Sequence, residues 1–200
     1  MSDTRGMTAD VSYAFTRDWF SQNITAWDQI FSQEKPRHIL EIGSFEGRSA
    51  CYTIEKLGAS VADGASLTCI DNWIGGQEHR DVGGFYQAVM SDAERRFNHN
   101  TRIALAKVSN KVTLRKIKQN SRDALAQFLA TAPLVQFDLI FIDGSHEAPD
   151  VLADSVLAFP LLRVGGTLIF DDYICSDQKP QQRDPLRMPK PTFDAFVNIY

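Results

Sequence analysis

The sequence predicts an α/β domain built on a doubly wound parallel sheet. Short apolar runs alternate with segments at helical spacing, and four of the five runs end in an acid or lead into one. The runs look buried on both sides, which implies helices covering both faces of the sheet.

The elements follow in order. After a polar start, Trp19, Phe20, Ile24, Trp27, Ile30 and Phe31 recur every three or four residues on one predicted helix face, and Pro36 ends it. Residues 1–36 thus read as an N-terminal helical cap, and residues 37–200 as the main domain. Residues 39–42 form a short apolar strand stopped by Gly43. Helical spacing resumes through Cys51, Ile54 and Leu57. A second strand, 67–70, ends at Asp71 and precedes a loop containing Gly75, Gly76, Gly83 and Gly84. Phe85, Val89, Ala93 and Phe97 then make a helix face. Residues 112–117 read as a strand from their Val, Thr and Ile content, with Asn120 or Ser121 capping the next helix. Residues 137–142 form a strand ending at Asp143, and Val151, Leu152, Ser155, Val156 and Phe159 give the following helix its stripe. Gly165 and Gly166 are expected to break the chain before a fifth strand, 167–170, which ends at Asp171 and Asp172. Residues 176–191, rich in Gln, Arg, Lys and Pro, carry no core pattern and read as a loop over the site or a surface excursion.

Composition narrows the function classes. Two hundred residues, 44% of them hydrophobic, suffice for one sizeable core. A net charge of −4 without a concentrated basic run argues against binding a phosphate backbone. Cys51, Cys69 and Cys175 form no C-x-x-C pair, so neither a disulfide framework nor a zinc site is suggested. With no charged leader followed by an apolar stretch and no bilayer-length apolar window, a cytoplasmic protein acting on a small molecule is expected, with homo-oligomerisation left open.

In open α/β sheets ligands bind beyond the carboxyl ends of the strands. Glu41 and Gly43, Asp71, Asp143, and Asp171 with Asp172 should therefore converge on one edge. Carboxylates near a core must be solvated, paired or bound to a metal, so some of them should contact ligand. The loop 41–47 lets backbone approach a cofactor closely, but its spacing is Glu-x-Gly-x-x-x-Gly, not the Gly-x-Gly-x-x-Gly that cradles a dinucleotide pyrophosphate. Asp71 is placed to accept from both hydroxyls of a ribose. Three carboxylates without clustered cysteine or histidine suit a hard divalent cation, magnesium by default. Asp143 binding an amine, Asp171 or Asp172 capping a turn, and His146 capping a helix remain open alternatives. His38, His99 and the loop residue His79 carry less weight.

The segments ILEIGSFEGRSA, LTCIDNW, FDLIFIDGSHEAPDV and GGTLIFDDY, in this order, resemble class I S-adenosylmethionine-dependent methyltransferases, which have a Rossmann-like core. More narrowly they resemble the small bacterial O-methyltransferases of the macrocin and mycinamicin type (methyltransferase domain 24-like), from about Arg37 to Tyr173. The resemblance implies that Glu41, Gly43 and Ser44 surround the methionyl part of the cofactor within a loop that includes Phe45 and Gly47. It also implies that Asp71, beside Asn72, holds the ribose, that Asn120 and Ser121 flank the adenine, and that Trp73 stacks on it. Asp143, Asp171 and Asp172 would hold magnesium, Asp143 also lying at the cofactor, and His146 would be the general base.

Two features depart from that family. Its usual last helix and two strands are missing, because the chain stops inside the apolar pattern Phe193, Phe196, Val197 and Tyr200; the sequence reads as a fragment, or leaves its fifth strand as an edge. The Asp-Asp pair also differs from the Asp-Asn of catechol-type relatives. Competing classes are a nicotinamide-dependent oxidoreductase, whose phosphate fingerprint is absent, and a cofactor-binding module without turnover.

Overall fold

The computed structural model describes residues 12–60, 64–76, 90–109, 111–176 and 178–200. The expected helix face at Phe85 and Val89, the glycines Gly83 and Gly84, and His79 lie outside the described residues.

Five parallel strands form one sheet in the order β3-β2-β1-β4-β5: β1 (His38–Ile42), β2 (Ala65–Asp71), β3 (Val112–Lys118), β4 (Phe137–Ile142) and β5 (Leu162–Phe170). The order in which strands are added reverses between β1 and β4, so the crevice above those two strands is the expected ligand position. Period-two alternation sends Ile39, Leu67, Cys69, Leu139 and Phe141 to one face and Leu40, Ile42, Ile70, Ile140 and Ile142 to the other, and each set is buried. The first face is covered by α1 (Ile24–Glu34), α2 (Arg48–Ser60) and α3 (Ala93–Lys107), through Trp27, Phe31, Cys51, Ile54, Leu57 and Phe97. The second face is covered by α4 (Ser121–Leu129) and α5 (Ala148–Ala158). α6 (Lys190–Ile199) lies against α5 and the end of β5, where the Phe170 and Phe193 ring centroids are 4.5 Å apart.

Two expectations change. The N-terminal helix starts only at Ile24; Trp19 precedes it and is 46% exposed, while Phe20 reaches the core from outside the helix. Lys35, at φ 47°, closes that helix before Pro36. Gly165 and Gly166 do not precede β5 but lie within it, next to a shift in register between Phe137 and Leu139 of β4. Gly165 has a φ of 75°, so these glycines relieve a bulge and the strand continues through them. The segment after β5, expected to carry no core pattern, includes two short 3-10 turns, Pro180–Gln182 and Pro185–Arg187. No helix among the described residues is long and apolar enough to cross a membrane.

Candidate active site

The ladder hydrogen bonds run on past the strand ends and set the polar residues at one level. Gly43 N donates to Ile70 O (2.9 Å), Asp143 N to Ile42 O (2.8 Å), Asp171 N to Ile142 O (3.0 Å) and Gln119 N to Asp71 O (3.1 Å). Glu41, Asp71, Asp143, Asp171 and Asp172 therefore share the carboxyl edge of the sheet, as their positions in the sequence imply.

Gly43, at φ 86°, sits where a Cβ would lie 2.0 Å from the Asp143 carbonyl oxygen. The β1 loop can pass the end of β4 only as bare backbone. Glu41 points from β1 under this loop and is 1% exposed; one carboxylate oxygen accepts from Ser49 Oγ (3.2 Å), while its Oε2 and the nearby Ser44 Oγ have no partner among the described residues. Burial pushes the Glu41 carboxyl up from its ordinary 4.5 to about 7. The folded protein thus holds this proton more tightly than the unfolded chain, and stability falls as pH rises from about 4.5 to about 7. Above that window the cost is constant, on the order of 3 kcal/mol. Glu41→Gln is expected to remove this dependence and to raise the urea midpoint at pH 8 above that of the native protein. Parallel titrations at pH 5 and pH 8 check it, and an unaltered pH slope would count against the assignment.

Asp71 organises the loop. Its Oδ2 accepts from the amides of Ser44 (2.8 Å) and Phe45 (2.9 Å), and its Oδ1 from the Trp73 amide (2.6 Å). Trp73 is 6% exposed, donates its indole N–H to Phe45 O (2.8 Å), and packs on Phe97 and beneath Lys116. Its ring and its polar atom thus take part in the packing that fixes the loop. Asn72 donates to Asn120 Oδ1 (3.0 Å), which pairs two residues expected near the cofactor. Ser121 opens α4, and Asp154, a buried acid on α5, is raised to about 6 by its burial. Gly47, at φ 79°, lies against Phe97 at the start of α2.

The other half of the edge holds Asp143, Asp171, Asp172 and His146. Burial raises the Asp143 carboxyl well above the usual range, and the nearby charges of Asp171 and Asp172 raise it further. Asp171 is raised by burial as well. For His146, burial opposes the charged ring, but the Asp172 carboxylate 2.8 Å from Nε2 outweighs it and pushes the imidazole up to about 11. The same bond holds Asp172 below its ordinary value. In that pair the ring carries the proton, and it becomes a base only when Asp172 turns to another partner. A nearly closed cleft between these residues is walled by Val151, Pro189 and Phe193. A larger hollow, of about 260 Å³, lies apart from this chemistry between α3 and the outer strand β3.

Several contributors escape sequence reasoning. Asn23 donates to Asp171 Oδ2 (2.9 Å), and Trp19 stacks on Phe45 with centroids 4.9 Å apart, so the N-terminal segment reaches both halves of the site. Glu46, 1% exposed, anchors this segment by accepting from Thr16 N and Thr16 Oγ1 (both 2.6 Å) and from Arg96 Nε (2.5 Å). Contacts across so many residues leave no periodic signal. Cys175 Sγ lies 3.8 Å from His146 Nδ1; the spacing Asp-x-x-Cys after the fifth strand was its only local cue. Asn23→Ala is expected to lower stability by about 1–2 kcal/mol, read from the urea midpoint, through loss of the bond to a charged acceptor.

Residues 40–173 match a family model described as a methyltransferase domain. No curated protein sequence matches. Among solved structures, the chain is similar to an O-methyltransferase from Bacillus cereus in complex with SAH, at 19% identity and a TM-score of 0.59, covering 92% of this chain and 71% of that one. It is also similar to TomG from Streptomyces achromogenes, an O-methyltransferase involved in tomaymycin synthesis in complex with SAM, at 18% identity and a TM-score of 0.58, covering 94% and 69%. A third is CalS11, described as a TDP-rhamnose 3'-O-methyltransferase of calicheamicin biosynthesis, at 18% identity and a TM-score of 0.54, covering 89% and 69%. At these identities the likeness establishes the fold.

Proposed function

This chain belongs to the methyltransferase-domain family, and from that premise we propose that it transfers the methyl group of S-adenosylmethionine to a hydroxyl oxygen of a small molecule, with a divalent cation assisting. The observation that carries the reading is the buried, partnerless oxygen of Glu41 beneath a glycine loop at the point where strand order reverses. A buried carboxylate without a donor is costly, and an ammonium group is the partner that relieves it.

Glu41 and Ser44 fit the amino-acid end of the cofactor, since both present unused polar atoms. Asp71 fits the ribose: a carboxylate has about four acceptor sites, and the three loop amides leave capacity for a hydroxyl. The Asn72–Asn120 pair, with Ser121, would border the adenine, and Phe45 and Gly47 would shape the loop around it.

The charges of Asp171 and Asp172 raise the cost of ionising Asp143, which a cation would offset, and the three carboxylates, whose oxygens are not all within 4.8 Å of one another, would have to close around it. These three would hold magnesium, which would bind the acceptor oxygens and ease removal of the hydroxyl proton. His146 would take that proton as the oxygen attacks the methyl carbon, the carbon–sulfur bond breaks and S-adenosylhomocysteine leaves. The SAH and SAM complexes among the structural relatives support the cofactor, and the TDP-rhamnose enzyme supports a sugar hydroxyl as acceptor.

Calorimetry with S-adenosylmethionine and with NAD tests the cofactor; binding of the first alone is expected. Release of S-adenosylhomocysteine over a panel of sugar nucleotides and phenols, with magnesium or with chelator, tests the reaction. Absence of S-adenosylmethionine binding would remove the proposal.

A further inference from the structure

We propose that His146, Asp172 and Cys175 form a site for a thiophilic divalent cation of the zinc type. The loop after β4 supplies the imidazole, and the turn after β5 supplies the carboxylate and the thiol. Cys175 N donates to Asp172 O (2.8 Å), and Asp172 adopts a φ of 58°, a left-handed conformation that folds the thiol back beside its carboxylate.

One ligand atom from each residue, a nitrogen, an oxygen and a sulfur, lies within 4.8 Å of the other two, and no other such group of three occurs among the described residues. His146 Nδ1 and Cys175 Sγ are 3.8 Å apart. Bonds of about 2.0–2.3 Å around a tetrahedral ion hold neighbouring ligands roughly 3.3–3.8 Å apart, so the Nδ1 and Sγ pair already has the required separation. Asp172 meets the ring at the other nitrogen, Nε2, so its carboxylate must leave that hydrogen bond and turn toward Cys175 to share an ion held by Nδ1 and Sγ. Both side chains, at 29% and 35% exposure, remain reachable from solvent, which gives an ion an entry path.

The donor set decides which ion. Thiolate and imidazole are soft or borderline ligands that favour zinc or cobalt, whereas magnesium takes oxygen. Binding releases the thiol proton to solvent as the metal–sulfur bond forms. Three protein ligands leave a fourth position open for water. The site is distinct from the Asp143, Asp171 and Asp172 set but shares Asp172 with it. On the proposed role of His146 as the base of methyl transfer, zinc opposes the reaction that magnesium supports.

Cobalt(II) titration of the full chain in magnesium-containing buffer tests the site without reference to turnover. A thiolate-to-cobalt charge-transfer band with the intense visible bands of a tetrahedral ion is expected, and equimolar zinc should bleach both. Cys175→Ser should lose the charge-transfer band, Asp172→Asn should weaken binding, and circular dichroism should show both variants folded. Cys51 and Cys69 are buried, so they should not substitute. No cobalt binding, a spectrum without the thiolate band, or a band that survives in Cys175→Ser overturns the proposal.

Discussion

Gly43→Ala is expected to destabilise the protein by more than about 4 kcal/mol, enough to leave little folded material. A Cβ at this position would sit 2.0 Å from Asp143 O, 2.5 Å from Asp143 C and 2.7 Å from Gly144 Cα. All three are backbone atoms, so no rotamer change makes room. The φ of 86° adds strain that an L side chain rarely tolerates. Relief would require β1 and β4 to part at their carboxyl ends, where Ile42 and Ile142 are buried and paired. Gly165→Ala is the matched control: its φ is 75°, but nothing lies within 4 Å of the added carbon. Only the backbone term applies there, about 1–2 kcal/mol. Urea titration of both variants separates steric from conformational cost. Equal losses would mean that the approach of β1 to β4 is not what demands a glycine at position 43.

The contrast between these glycines shows what the sequence can convey. Apolar runs with period two and stripes at helical spacing made the five strands and the covering helices legible, because burial on both faces imposes composition directly. The edge that gathers Glu41, Asp71, Asp143 and Asp171 was legible too, since parallel strands of similar length must end together. The continuity of β5 through Gly165 and Gly166 was not, because a glycine pair signals a break and a bulge equally well. The packing of Trp73 was not legible for a related reason. An aromatic residue after a ribose-type acid suits stacking on a base, yet its indole N–H found Phe45 O and its ring found Phe97, contacts that depend on how α3 crosses the loop. The place of Cys175 was not legible either, because a cysteine motif is a spacing between cysteines, whereas its neighbours are a histidine and an aspartate brought beside it by the fold.

His146→Ala is expected to cut release of S-adenosylhomocysteine by roughly 10²–10⁴-fold, the usual worth of a positioned acid or base, while leaving S-adenosylmethionine affinity unchanged. The separation follows from placement. The polar contacts of His146 are to Asp172 and Cys175, on the β5 side of the crevice, and the loop held by Asp71 has its own network through Ser44, Phe45 and Trp73. Removing the ring also leaves Asp172 without its charged partner, so a change in turnover could reflect a displaced carboxylate. Asp172→Asn, measured at saturating magnesium because it also alters a proposed metal ligand, addresses this by removing the carboxylate charge while keeping the imidazole. Loss of kcat with intact cofactor affinity in His146→Ala, together with partial activity in Asp172→Asn, would assign proton removal to the ring. Parallel loss of affinity and turnover in His146→Ala would make the residue a prop for the loop after β4, and the hydroxyl proton would then have to leave by another route.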